Sequence, residues 1–184
     1  MIKIGILNKG SNFNWGKNFG YWYFVKYFQN ELKESGFDVE FYDSANSKFY
    51  DSDLIIINSR LFTDTAENKI RKKLELKKKN KYLENIIKIS KLNQNIIWLD
   101  LTDSSGTTSF EVLPYVKKYV KKQFYKDKNL YREKFFRGRY YADFYQKEFH
   151  PEEDYNFDFC PLLKEYENKL VLGWNIGVGN YFDI

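Results

Sequence analysis

An α/β fold, an open and mostly parallel sheet flanked by helices, is predicted from three observations. Short apolar stretches at 1–7, 37–42, 53–58 and 96–101, and a last one from Lys169 to the strand end at Trp174–Gly177, read as strands. The first is followed by a glycine- and asparagine-rich loop and then by a stretch of helical period, the opening of a doubly wound sheet. The strand at 96–101 delivers Asp100, Thr102, Asp103, Ser104, Ser105, Gly106, Thr107 and Thr108 at its carboxyl end, where open α/β sheets bind their ligands.

Each element has its own justification. Ile2, Ile4 and Ile6 alternate with Lys3, Gly5 and Leu7, as in a strand. The loop from Asn8 to Gly20 holds three glycines, Gly10, Gly16 and Gly20, and four asparagines. These tolerate unusual backbone angles and let a backbone approach a ligand closely, although the spacing matches neither the dinucleotide fingerprint nor the Walker loop. Tyr21, Phe24, Val25, Phe28 and Leu32 recur at helical spacing, so a helix is expected over about 18–35, stopped by Gly36. The stretch 53–58 is continuously apolar after Asp53, which suits a strand buried on both faces.

A second helix is expected from about 63 to 92. It contains the basic run 71–81, with Arg71, Lys72, Lys73, Lys77, Lys78, Lys79 and Lys81. The plain reading is a solvated helix face. The sharper one is docking on an anionic membrane surface, where each such charge is worth about 1 kcal/mol. Nucleic acid is disfavoured as a partner, because no aromatic interrupts the run. After Pro114, Tyr115, Val116, Tyr119, Val120 and Phe124 read as a helix, with a short strand as the alternative because β-branched and aromatic residues crowd there. From about 126 to 166 the periodicity loosens into an irregular aromatic and basic segment, densest at 135–145. Arginine there suits a phosphate or carboxylate, and tyrosine a sugar face.

The 184 residues fit one domain. A net charge of +5 favours anionic partners without choosing among them. Cys160 is the single cysteine and His150 the single histidine, too few for a zinc site, and no metal or other cofactor is implied. The first eight residues carry no charged leader, and no apolar run approaches a membrane span. The expectation is a cytoplasmic protein, with peripheral contact at the inner membrane through the basic run.

Several segments in order resemble bacterial glycosyltransferases of the two-Rossmann-domain (GT-B) type that build surface polysaccharides. They are the loop from Lys3 to Gly20, the strand end from Asp100 to Thr107, the Pro114 to Gln123 segment, the patch from Gly138 to Phe149, and Trp174-Asn175-Ile176-Gly177. The resemblance covers most of the chain. It implies a Rossmann-like, acceptor-side domain over 1–184, with the nucleotide-sugar site in a second domain outside these residues. The partners implied are a nucleotide sugar and a glycan or lipid-linked acceptor.

On that reading a carboxylate takes the acceptor proton or stabilises oxocarbenium charge. Asp103 is the first candidate and Asp100 the second. Ser104, Ser105 and Thr107 would hydrogen-bond sugar hydroxyls. Gly10, Gly16 and Asn18 would let the first loop face the cleft, and Asn175 and Gly177 would close it from the last strand. Arg137, Arg139 and Tyr140 would hold an anionic or sugar portion of the acceptor. The plainer role for Asp100 and Asp103 is capping of the segment that follows. Two other classes stay open: a non-catalytic flavodoxin-like or receiver-like binding module, and a basic protein that binds membrane or nucleic-acid surfaces.

Overall fold

Alternating isoleucines form the first strand, β1 (Ile2–Leu7), in a computed structural model that describes residues 1–8, 19–62, 81–102, 104–136, 139–149 and 159–174. The expectations for Gly10, Gly16, Asn18, Asp103, Arg137, His150, Asn175 and Gly177, and for nearly all of the basic run, lie outside the described residues. Five more strands follow: β2 (Phe37–Tyr42), β3 (Leu54–Asn58), β4 (Ile96–Asp100), β5 (Lys118–Lys121) and β6 (Leu170–Leu172). All pair in parallel, in the order β2-β1-β3-β4-β5-β6. The fold is therefore an open Rossmann-like α/β sheet. The direction in which successive strands are added reverses between β1 and β3, and such a switch point opens a crevice at the carboxyl edge.

Helices cover both faces. The segment expected as one helix is two, α1 (Phe19–Tyr27) and α2 (Gln29–Glu34), separated where Phe28 leaves helical geometry at φ −95°, ψ 27°. Amide-to-carbonyl bonds from Phe28 to Phe24 and from Leu32 to Phe28 carry the ladder through this joint. Gly36 ends α2 at φ +93°, a left-handed conformation that side chains resist. Trp22 on α1 packs with Ile6, Val39, Leu99 and Leu101 on this face.

Phe49, Ile55, Ile57, Ile86, Ile96, Trp98 and Tyr119 form the larger core on the opposite face. Period-2 alternation divides the two cores, since Ile96, Trp98 and Asp100 point one way and Leu99 and Leu101 the other. Each isoleucine buried there contributes about 1.5–3 kcal/mol. Among the described residues two α-helices cover this face: α3 (Ser47–Tyr50), which the sequence reading had not anticipated, and α4 (Lys81–Leu92). Asn46 caps α3 by accepting the Phe49 N–H at 3.0 Å. Gly5 lets α3 approach β1, since a Cβ there would lie 2.5 Å from Ser52 Oγ.

The helix expected after Pro114 is not formed. A short 3-10 turn (Phe110–Tyr115) leads straight into β5, as the strand alternative had it. In the irregular segment the described residues include an α-helix, α5 (Tyr140–Phe149), which buries none of its residues. No helix among the described residues is long and apolar enough to cross a membrane.

Candidate functional site

Parallel pairing sets Asp100 at the end of β4 directly beside Lys121 at the end of β5. Both are fully buried. Lys121 Nζ donates to Asp100 Oδ2 at 3.1 Å, and the Tyr119 hydroxyl donates to the same oxygen. Asp100 Oδ1 accepts the Thr102 N–H at 2.9 Å, the Asx-turn geometry that bends a chain leaving a strand. The Thr102 hydroxyl lies 2.7 Å from Asp100 Oδ1 and 2.8 Å from the Thr107 carbonyl. Lys121 also donates to the Thr102 hydroxyl and to its carbonyl. The Tyr119 oxygen in turn accepts the Ser109 N–H at 3.0 Å. Both carboxylate oxygens are thus engaged, and the loop 104–109 is tied down at both ends. Burial, and secondly the Asp100 charge, raise the Tyr119 phenol well above its ordinary range.

Above this cluster, at the carboxyl edge of β4 and β5, opens a cleft of about 290 Å³ lined by Ser104, Ser105, Gln123, Tyr125, Arg139 and Tyr141. The loop after β4 supplies the serines, and the start of α5 supplies Arg139 and Tyr141. Two segments nominated separately from sequence therefore meet here. Tyr131 fastens the floor: its hydroxyl donates to the Ser105 carbonyl and accepts the Tyr125 N–H, both at 2.9 Å. Burial raises the Tyr131 phenol as well.

The other nominated residues that the structure describes stand apart from the cleft. Thr107 holds the loop through its carbonyl, and Asp100 lies beneath without surface of its own. The Tyr140 ring is exposed and packs edge-on against Phe135, at 5.4 Å between centroids. Residues that the sequence reading passed over include Tyr119, Lys121, Gln123, Tyr125 and Tyr141. The signal for Tyr119 and Lys121 was available: in a strand they share one face, whereas a helix turns the lysine to solvent.

Two other places compare with this cleft. A larger hollow of about 570 Å³ at the amino edge is lined in part by Asn95, Lys117 and Lys169. Its lysines are already bonded, Lys117 to Asn95 Oδ1 at 3.1 Å and Lys169 to the carbonyls of Leu113 and Val116 at 2.7 and 2.8 Å. At the β1/β3 switch point, the buried Asn8 Oδ1 has no hydrogen-bond partner among the described residues. Asn58 Oδ1 there accepts the Leu61 N–H, and Ser59 Oγ accepts the Leu101 N–H. No group of three or more potential metal ligands occurs among the described residues. Comparison of the chain with protein-family models, with curated proteins and with solved structures finds no match.

Proposed function

We propose that this domain binds the acceptor of a glycosyl transfer in the cleft at the carboxyl edge of β4 and β5. A nucleotide sugar would be held by a second domain facing that edge. The observation that carries the reading is the convergence of Ser104, Ser105 and Arg139 on one cleft. Hydroxyls beside a planar cation and tyrosine rings suit a polyhydroxylated ring with a polar substituent. Asp103 adjoins Ser104 in the chain and is the carboxylate proposed to take the acceptor proton. Asp100 is a positioning residue on this reading, because its oxygens are spent on Tyr119, Lys121 and Thr102.

Amide-resolved NMR titration with a panel of neutral and acidic mono- and oligosaccharides, and with UDP-glucose and glucose 1-phosphate, tests this. The expected result is shifts at Ser104, Ser105, Gln123, Tyr125 and Arg139 with at least one sugar, and no tighter binding of UDP-glucose than of glucose 1-phosphate, which lacks the nucleoside. Silence at these residues with every sugar overturns the proposal.

A second reading has its own observation. The order β2-β1-β3-β4-β5 is the flavodoxin-type order, with its ligand crevice between β1 and β3, where Asn8 Oδ1 is buried and unbonded among the described residues. A non-catalytic module would bind a hydrogen-bond donor there. In the same titration it predicts shifts at Asn8 and Ser59 instead.

A further inference from the structure

Resting on the acceptor-site reading, we infer that the group docked in this cleft is an oxyanion, a carboxylate or a phosphate carried by the acceptor, held by the Nε edge of Arg139. The guanidinium is fixed at one end, where Nη1 donates to the Tyr141 hydroxyl at 2.8 Å. Its Nε is buried and has no hydrogen-bond partner among the described residues. A buried donor left unmade is costly, and the Nε–Nη2 edge is the fork that meets two oxygens of a carboxylate or phosphate at once.

The hydroxyls around it have the same polarity. Ser104 Oγ already accepts the Gly106 N–H at 3.2 Å. The Tyr125 hydroxyl accepts the Tyr140 N–H at 3.2 Å, and the Tyr141 hydroxyl accepts from Arg139. Each hydroxyl has one proton, and in these bonds it acts as the acceptor. Each therefore keeps that proton to offer a ligand. No carboxylate lines the cleft among the described residues. Hydroxyl protons beside a cation, with no carboxylate among the described lining residues, favour a group that only accepts.

The test is titration of the whole chain with inorganic phosphate, glucuronate and glucose at constant ionic strength, read at the amides of Ser104, Ser105 and Arg139. Phosphate or glucuronate should bind at least about tenfold more tightly than glucose, as charge-assisted bonds require. Arg139→Gln should weaken the anion by about tenfold or more, Arg139→Lys by less, and Lys117→Gln at the opposite edge not at all. The melting temperature of each variant checks its fold. Binding of glucuronate alone assigns a carboxylate sugar. Binding of phosphate alone assigns a phosphoryl group, and with silence from every sugar the oxyanion site stands while the acceptor reading falls. Equal binding of glucose and the anions, or equal losses in Arg139→Gln and Lys117→Gln, overturns the oxyanion inference and leaves the acceptor reading intact. Silence with all three ligands overturns the oxyanion inference too.

Discussion

Lys121 and Asp100 depend on each other. Each is fully buried, and each is bonded to the other, Asp100 also to Tyr119 and Thr102, and Lys121 also to the hydroxyl and carbonyl of Thr102. Removing one partner leaves a charge in the core. Asp100→Ala or Lys121→Met should therefore cost about 3–5 kcal/mol of stability, whereas the double substitution to apolar residues of similar volume should recover most of that loss. Urea unfolding of the two single variants and the double variant measures this cycle. Additive losses would show that the pair is not coupled. Asp100 is also where a residue-by-residue reading of sequence is weakest. An aspartate at a strand end can be a base, a cap or a buried counter-ion. Its partner Lys121 lies in the next strand, beyond any local pattern.

At the scale of elements, backbone rules were legible where they are local. Gly36 follows α2 as a stop signal, and its φ of +93° is the physical reason. A Cβ there would meet nothing within 4 Å, so the cost of Gly36→Ala is purely conformational, about 1–2 kcal/mol. Gly36→Asn should recover part of it, because asparagine tolerates the left-handed region. Thermal melts of both variants decide this, and equal stability of Gly36→Ala and the parent protein would refute it. β5 was harder to read. Its apolar residues satisfy helical spacing and strand alternation alike, and pairing with β4 is what selects the strand. The four-residue α3 was missed for a related reason: one turn carries too few residues to show a period, and its signal is confined to the Asn46 cap.

For the molecule as a whole, the buried phenols set a limit at alkaline pH. Burial raises Tyr119 and Tyr131 well above the ordinary value, and Tyr42 is pushed up to about 12. The folded state therefore keeps the proton that the unfolded chain loses near pH ~10. Stability from these groups is full below that pH and falls as pH rises towards the folded values. The slope should reach about 1.4 kcal/mol per pH unit for each of the two buried tyrosines. Urea unfolding between about pH 9 and 11.5 should show this decline, and Tyr131→Phe should flatten it even if its starting stability is lower. A stability independent of pH across that window would contradict the assignment.

Strand positions, the alternation that divides the two cores, and the glycine that ends α2 all follow from the order of residues, because each depends on neighbours a few positions away. The meeting of the Ser104–Ser105 loop with Arg139, the Asp100–Lys121 pair beneath it and the choice of strand for 118–121 could not follow in that way. They arise between segments some 20–35 residues apart in the chain, and it is parallel pairing of β4 with β5, followed by the return of α5 over their carboxyl ends, that makes them neighbours.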